Sequence, residues 1–183
     1  MRVAAGAGVG LNVAMPSQSM PGARPESDDQ SLCLDLPDLA RTAALGRALA
    51  GAARPGDCIA LHGDLGAGKT ELARAFLRAA GVSEDVPSPT FAIVQPYDTD
   101  LGPVAHFDLY RIESPSDLDE IGFEAALDDG IVLVEWPERA GPRLPADRLD
   151  VTLTLGPEGR RTARLQALGD WLSRLAGLFP DPA

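Results

Sequence analysis

Polar and apolar positions along the chain change period several times, and each change predicts an element. Ser31-Leu32-Cys33-Leu34-Asp35-Leu36 alternates with period two, as a half-buried strand does. Pro37-Asp38 opens a run in which Leu39, Ala43, Leu45, Leu49 and Ala50 recur at helical spacing. Arg54-Pro55-Gly56-Asp57 reads as a turn. Cys58-Ile59-Ala60-Leu61 is an unbroken apolar run, the mark of a strand covered on both faces. Helical spacing resumes over Glu71–Ala80 and stops at Gly81. Phe91-Ala92-Ile93-Val94-Gln95 and Val104-Ala105-His106-Phe107 predict two strands joined by a turn at Asp98–Pro103. A short helix is expected over Ser116–Ile121, capped by Ser116. Ile131-Val132-Leu133-Val134 is a second fully buried strand. Val151–Leu155 and Thr162–Gln166 alternate around Gly156-Pro157-Glu158-Gly159 as a hairpin, and Trp171, Leu172, Leu175 and Leu178 mark a last amphipathic helix. Strands interleaved with helices predict an α/β three-layer sandwich, with a mainly parallel central sheet and a C-terminal antiparallel hairpin. Residues 1–30, rich in Gly, Pro, Ser and Asp, are expected to be a disordered extension before a single domain at 31–180.

Between the first buried strand and its helix lies Gly63-Asp64-Leu65-Gly66-Ala67-Gly68-Lys69-Thr70, which fits G-x-x-x-x-G-K-[ST] at every fixed position. The strand–loop–helix context makes the expected fold that of a P-loop NTPase. Glycines let the backbone curl so that successive N–H groups surround phosphate oxygens. The helix that follows aims its positive end at the same anion. Asp64, Leu65, Gly66, Ala67, Gly68, Lys69, Thr70 and Glu71 are therefore the candidate nucleotide-binding segment. Lys69 is assigned to the β- and γ-phosphates, and the Thr70 hydroxyl to Mg²⁺. Lys69 is also the one lysine of the chain; every other basic residue is arginine. A compact ammonium fits where a wide guanidinium does not. The same count bears on the base. Guanine recognition by Asn/Thr-Lys-x-Asp needs a second lysine, so ATP is favoured over GTP.

Two strands end in an acid: Val104-Ala105-His106-Phe107-Asp108 and Ile131-Val132-Leu133-Val134-Glu135. Phosphoryl transfer to water uses one group that helps to hold the metal and one that positions the nucleophile, and either acid suits either task. Thr90, in the stiff Ser88-Pro89-Thr90 loop, is a candidate switch threonine that senses the γ-phosphate or the metal. Trp136 follows Glu135 directly and is placed to pack near a nucleotide or in the core. His106 reads as a core histidine. Arg111, Arg139 and Arg143 are candidate phosphate or partner contacts, with solvated charge as the plainer reading.

Composition narrows the setting. The chain has 183 residues, 45% of them apolar, enough for one ordinary domain. A net charge of −11 argues against a bare nucleic-acid binder, which would present a basic face. Cys33 and Cys58 lie in strand-like runs without a C-x-x-C pair, as reduced core residues of a cytosolic protein do. No apolar run approaches the ~18 residues a membrane span needs. The mildly apolar start, Met1–Val13, makes a poor signal peptide. A cytoplasmic protein with no membrane association is expected.

Taken in order and spacing, Gly63–Thr70, Ser88-Pro89-Thr90-Phe91, His106-Phe107-Asp108-Leu109-Tyr110-Arg111 and Val134-Glu135-Trp136-Pro137 resemble the bacterial TsaE (YjeE) family over about residues 31–180. The resemblance implies a small Mg²⁺-dependent P-loop ATPase of tRNA threonylcarbamoyladenosine biosynthesis. Such an ATPase supports turnover of the TsaD–TsaB transferase, which modifies N6 of adenosine 37 in tRNA. It implies that Lys69 and Thr70 bind phosphates and Mg²⁺, that Thr90 lies in a switch-like loop, and that Trp136 lies beside the nucleotide. It makes Asp108 the acid that positions water and Glu135 a metal ligand, with the two roles exchangeable. Glu71 and Gln95 depart from the family pattern, at positions where a hydroxyl residue and a glutamate are common. Two other readings share the frame. A small-molecule kinase would need an arginine-rich lid, for which Gly141–Arg148 is the candidate. A non-hydrolysing nucleotide-gated module would bind ATP without turnover.

Overall fold

A computed structural model describes residues 23–25 and 31–178 of the chain. Among the described residues, one sheet holds eight strands: β1 (Ala23–Pro25), β2 (Ser31–Leu36), β3 (Cys58–His62), β4 (Val94–Thr99), β5 (Gly102–Asp108), β6 (Ile131–Glu135), β7 (Leu149–Leu155) and β8 (Arg161–Ala167). The helices are α1 (Leu39–Ala52), α2 (Lys69–Ala79), α3 (Phe123–Asp129) and α4 (Trp171–Leu178). Strand order is β1-β2-β8-β7-β3-β6-β5-β4. Only the central four, β7, β3, β6 and β5, are parallel neighbours. The outer pairings are antiparallel. The sheet is therefore mixed rather than mainly parallel, because a tight β4–β5 hairpin adds to one side what the β7–β8 hairpin adds to the other. The disorder expected for residues 1–30 falls outside the described residues, apart from Ala23–Pro25, whose backbone pairs with Leu32–Leu34 of β2.

The two apolar runs are unbroken because both sheet faces are covered. On β3, Ile59 and Leu61 join the core beneath α1, α2 and α4, while Cys58 and Ala60 join the opposite core with Phe107 and Phe123. β6 divides likewise, Ile131 and Leu133 to the first core and Val132 and Val134 to the second. Burial pushes the Cys58 thiol up to about 12, which fits an inert core residue. Helix α1 starts where Asp38 caps it: its Oδ1 accepts from the Arg41 N–H at 2.8 Å. α1 lies so close to α2 that a Cβ on Gly46 would sit 2.6 Å from Ala75 Cβ and 2.8 Å from the Phe76 nitrogen.

Two expected elements differ, and one helix was not expected. Phe91–Ile93 is a turn, and the strand expected at 91–95 starts at Val94 instead. Phe91 is 88% exposed, and Ile93 sits at φ +67°, outside the extended region a strand requires. The cap expected at Ser116 is Ser114, which opens a short 3-10 turn over Pro115–Leu118 with a reciprocal Asp117 bond. Helix α3 then follows from Gly122, which adopts the left-handed conformation.

Candidate functional site

The alternation that buries β5 and β6 also decides where their last residues point. His106 and Asp108 are two and four residues from Val104, and Glu135 is two and four from Leu133 and Ile131. Those three apolar residues belong to the core under α1 and α2, so all three polar side chains emerge on the α2 side of the sheet. Asp108 stands opposite Glu135 in the parallel register. β3, next to β6, delivers the glycine-rich loop to the same place.

That loop needs its glycines. Gly63, Gly66 and Gly68 have φ of +133°, +81° and +108°. A Cβ at Gly63 would also lie 2.3 Å from the Leu153 carbonyl oxygen. Helix α2 begins at Lys69 with Gly68 as its cap and no side-chain hydrogen bond there. Its first-turn N–H groups, which lack intrahelical partners, are left for an anion.

Lys69 is 4% exposed. Its Nζ donates to the Gly63 carbonyl at 2.5 Å and the Asp64 carbonyl at 2.9 Å. The Trp136 ring covers it, 3.9 Å from centroid to Nζ. Burial pulls this ammonium below the usual lysine value, while Glu135 and Asp108 oppose the shift. Trp136 can lie there because it turns out of β6 at φ +58°, and Tyr110 stacks against it at 5.1 Å.

The Thr70 hydroxyl donates to Glu135, 2.8 Å from Oε1 and 3.0 Å from Oε2. Glu135 Oε1 lies 2.9 Å from His106 Nε2. The Thr90 hydroxyl donates to Asp108 Oδ2 at 2.6 Å and is bonded to the Ser88 hydroxyl at 2.7 Å. The other Asp108 oxygen accepts from the Tyr110 N–H, and the Asp108 N–H donates to the Ile93 carbonyl. The 88–93 loop is thus tied to the end of β5.

Lys69, Thr70, Glu135 and Trp136 meet directly, and Thr90 joins Asp108 beside them. Ala67 is buried in the loop, whereas Asp64, Gly66 and Leu65 face solvent. Glu71 is held by Arg74, whose Nε also donates to the Val86 carbonyl, so its charge is paired off at the helix surface. Arg143 is engaged by Asp119 and Glu124, and Arg148 by Asp150. The 141–148 segment is therefore tied to the protein's own carboxylates rather than poised as a lid. Arg111 rests over the Phe91 ring, and Arg139 is exposed.

Arg161 was not singled out in the sequence, and His106 was read as a core histidine without its partner. His106 is buried as expected of a core residue, but it is bonded to Glu135; its position two before Asp108 was the available signal. Arg161, at the start of β8, puts its Nε and Cδ 3.5 and 3.6 Å from where a Gly68 Cβ would be. Only the pairing of β8 with β7, which in turn pairs with β3, brings it there, and no local pattern announces it.

These features define an α/β protein whose glycine-rich loop, uncapped helix and strand-end acids converge at the C-terminal ends of the central parallel strands of a mixed sheet. Residues 36–163 match the family described as "Threonylcarbamoyl adenosine biosynthesis protein TsaE", and the chain belongs to it. It is 35% identical over 130 residues to the tRNA threonylcarbamoyladenosine biosynthesis protein TsaE of Bacillus subtilis, covering 70% of this chain and 81% of that one. It is 37% identical over 151 residues to the protein of the same name from Nostoc sp., covering 80% and 93%. The crystal structure of Bacillus subtilis YdiB superposes with a TM-score of 0.69 at 30% identity, covering 81% of this chain and 94% of that one. Among the described residues, no helix is long and apolar enough to cross a membrane.

Proposed function

We propose that this chain is a cytoplasmic P-loop ATPase that hydrolyses ATP with Mg²⁺ to support tRNA N6-threonylcarbamoyladenosine formation, acting with a TsaD–TsaB transferase. The names of its relatives support the pathway. The chemistry rests on one observation: Lys69, the Thr70–Glu135 pair and the Thr90–Asp108 pair converge at the uncapped start of α2. The glycine loop and α2 suit a polyphosphate. The Thr70 hydroxyl and Glu135 carboxylate are hard oxygen donors of the kind Mg²⁺ takes, one or two from protein and the rest from phosphate and water. Bound there, the ion would neutralise charge on the phosphates.

The pairings support one division of labour. Glu135 is committed to Thr70 and belongs to the metal side. Asp108, buried and held by Thr90 and the Tyr110 N–H, is the acid left to orient a water. Lys69 neutralises phosphate charge, and its loop carbonyl bonds keep the ammonium inside the cradle. Trp136 covers the lysine until phosphates arrive.

The test is ATP hydrolysis by the purified protein, alone and with TsaD–TsaB and tRNA. Lys69→Ala is expected to lose at least about 100-fold in turnover, because a charge aimed at the transferring group is gone. Asp108→Ala should bind ATP yet hydrolyse it slowly. Wild-type turnover by Lys69→Ala would overturn the proposal. Label moving from ATP to a metabolite instead of water would replace it with a kinase.

A further inference from the structure

We infer that His106 is a positioning residue for Glu135, holding its carboxylate toward Thr70; the inference rests on the Mg²⁺–ATP reading above. His106 is fully buried and Glu135 is 3% exposed, so neither can use water as a partner. A buried carboxylate is tolerable only when its oxygens are hydrogen-bonded. Thr70 lies within bonding distance of both oxygens, but its hydroxyl carries one proton and cannot serve both fully. His106 supplies the second donor, to Oε1 at 2.9 Å.

The tautomer follows from the surroundings. Nδ1 is buried with no hydrogen-bond partner among the described residues. A proton there would be an unsatisfied donor in an apolar core, whereas on Nε2 it meets a carboxylate. The imidazole therefore presents N–H to Glu135 and a bare nitrogen to the core. β5 fixes this aim: His106 lies opposite Leu133 in the register, one pleat before Asp108 meets Glu135. A rigid strand next door thus replaces freedom that the glutamate side chain would otherwise have. Ligand groups bonded to a fixed neighbour hold a metal more tightly, and losing such a neighbour costs about 10- to 100-fold in affinity.

A Mg²⁺ titration of fluorescent ATP-analogue binding tests this without requiring turnover. His106→Leu is expected to raise the half-saturating Mg²⁺ concentration about 10-fold or more. Analogue affinity in EDTA should stay within about 2-fold, since the loop and Lys69 are intact. His106→Gln, whose amide N–H reaches the Nε2 position, should restore most of the Mg²⁺ response. His106→Asn, whose amide stops near the Nδ1 position, should not. The Gln and Asn comparison carries the test even where the Leu variant folds poorly. Equal Mg²⁺ midpoints for wild type and Leu, or equal rescue by Asn and Gln, would overturn the inference while leaving the ATPase reading intact. A wild-type protein whose analogue binding ignores Mg²⁺ would overturn both.

Discussion

Among single residues, the loop was legible and its surroundings less so. Lys69 and Thr70 declare themselves because the motif is local: eight consecutive positions encode a backbone shape and two side chains. Asp108 and Glu135 were legible as strand-end acids, but not which did what. The division proposed above draws on Thr70 meeting Glu135 and Thr90 meeting Asp108, contacts separated by 65 and 18 residues. Arg161 was invisible because its approach to Gly68 is set by strand order. It flanks the loop from the β7–β8 side, opposite the two acids on β5 and β6. A guanidinium on that flank should add affinity for phosphates whether or not a γ-phosphate is present. Arg161→Ala is expected to weaken ATP and ADP binding alike, by about 10-fold at low salt, as loss of a charge-assisted contact does. Calorimetric titration of both nucleotides at two salt concentrations checks this; a loss confined to ATP would place Arg161 elsewhere.

Among elements, β3 and β6 were legible because a strand covered on both faces has no polar position to confuse its pattern. Phe91–Ile93 misled for the opposite reason. Aromatic and branched residues usually signal a strand, yet here they form an exposed turn held by Asp108 and Pro89. Helix α3 turns Phe123, Ala126 and Leu127 to the core at helical spacing, but its seven residues are too short a run for that pattern to stand out. The α1–α2 pair makes a sharper case. Alanine is ordinarily the better helix former by about 1 kcal/mol over glycine. At Gly46 the sign should reverse, since the added methyl meets Ala75 and the backbone at Phe76 with no flexible side chain to give way. Gly46→Ala is expected to destabilise the fold by about 1–3 kcal/mol, read from the urea midpoint; a stabilised variant would mean the helices part easily.

At the level of the whole molecule, the α/β class, the two hairpins and the strand ends that carry the site were readable, but the antiparallel share contributed by β1 and β2 was not. Local alternation describes a strand and not its neighbour's direction. The join between β3 and β7 carries a pH response. Burial pushes the Asp150 carboxyl up, but hydrogen bonds from His62 and Arg148 and the nearby Arg148 charge outweigh it, leaving the group below the usual carboxylate range. A depressed folded value stabilises the protein above the unfolded value of about 4 and loses that contribution as pH falls through the lower folded one. Asp150→Asn should therefore be less stable than wild type at pH 7 and lose less on acidification, as urea midpoints between pH 7 and 3 would register. Parallel curves would remove Asp150 from the acid response. The two tryptophans have a separate consequence. Trp136 rests on the Lys69 ammonium, while Trp171 is buried beneath the Arg174 guanidinium on α4. The chain thus carries two tryptophan fluorophores, excitable apart from its tyrosines at the red edge, that answer different questions. Emission from Trp136 should change when a phosphate ligand draws the ammonium from its ring. A Trp136→Phe protein would be silent to that ligand and would still brighten or redden on melting, so occupancy and unfolding can be followed as separate optical channels.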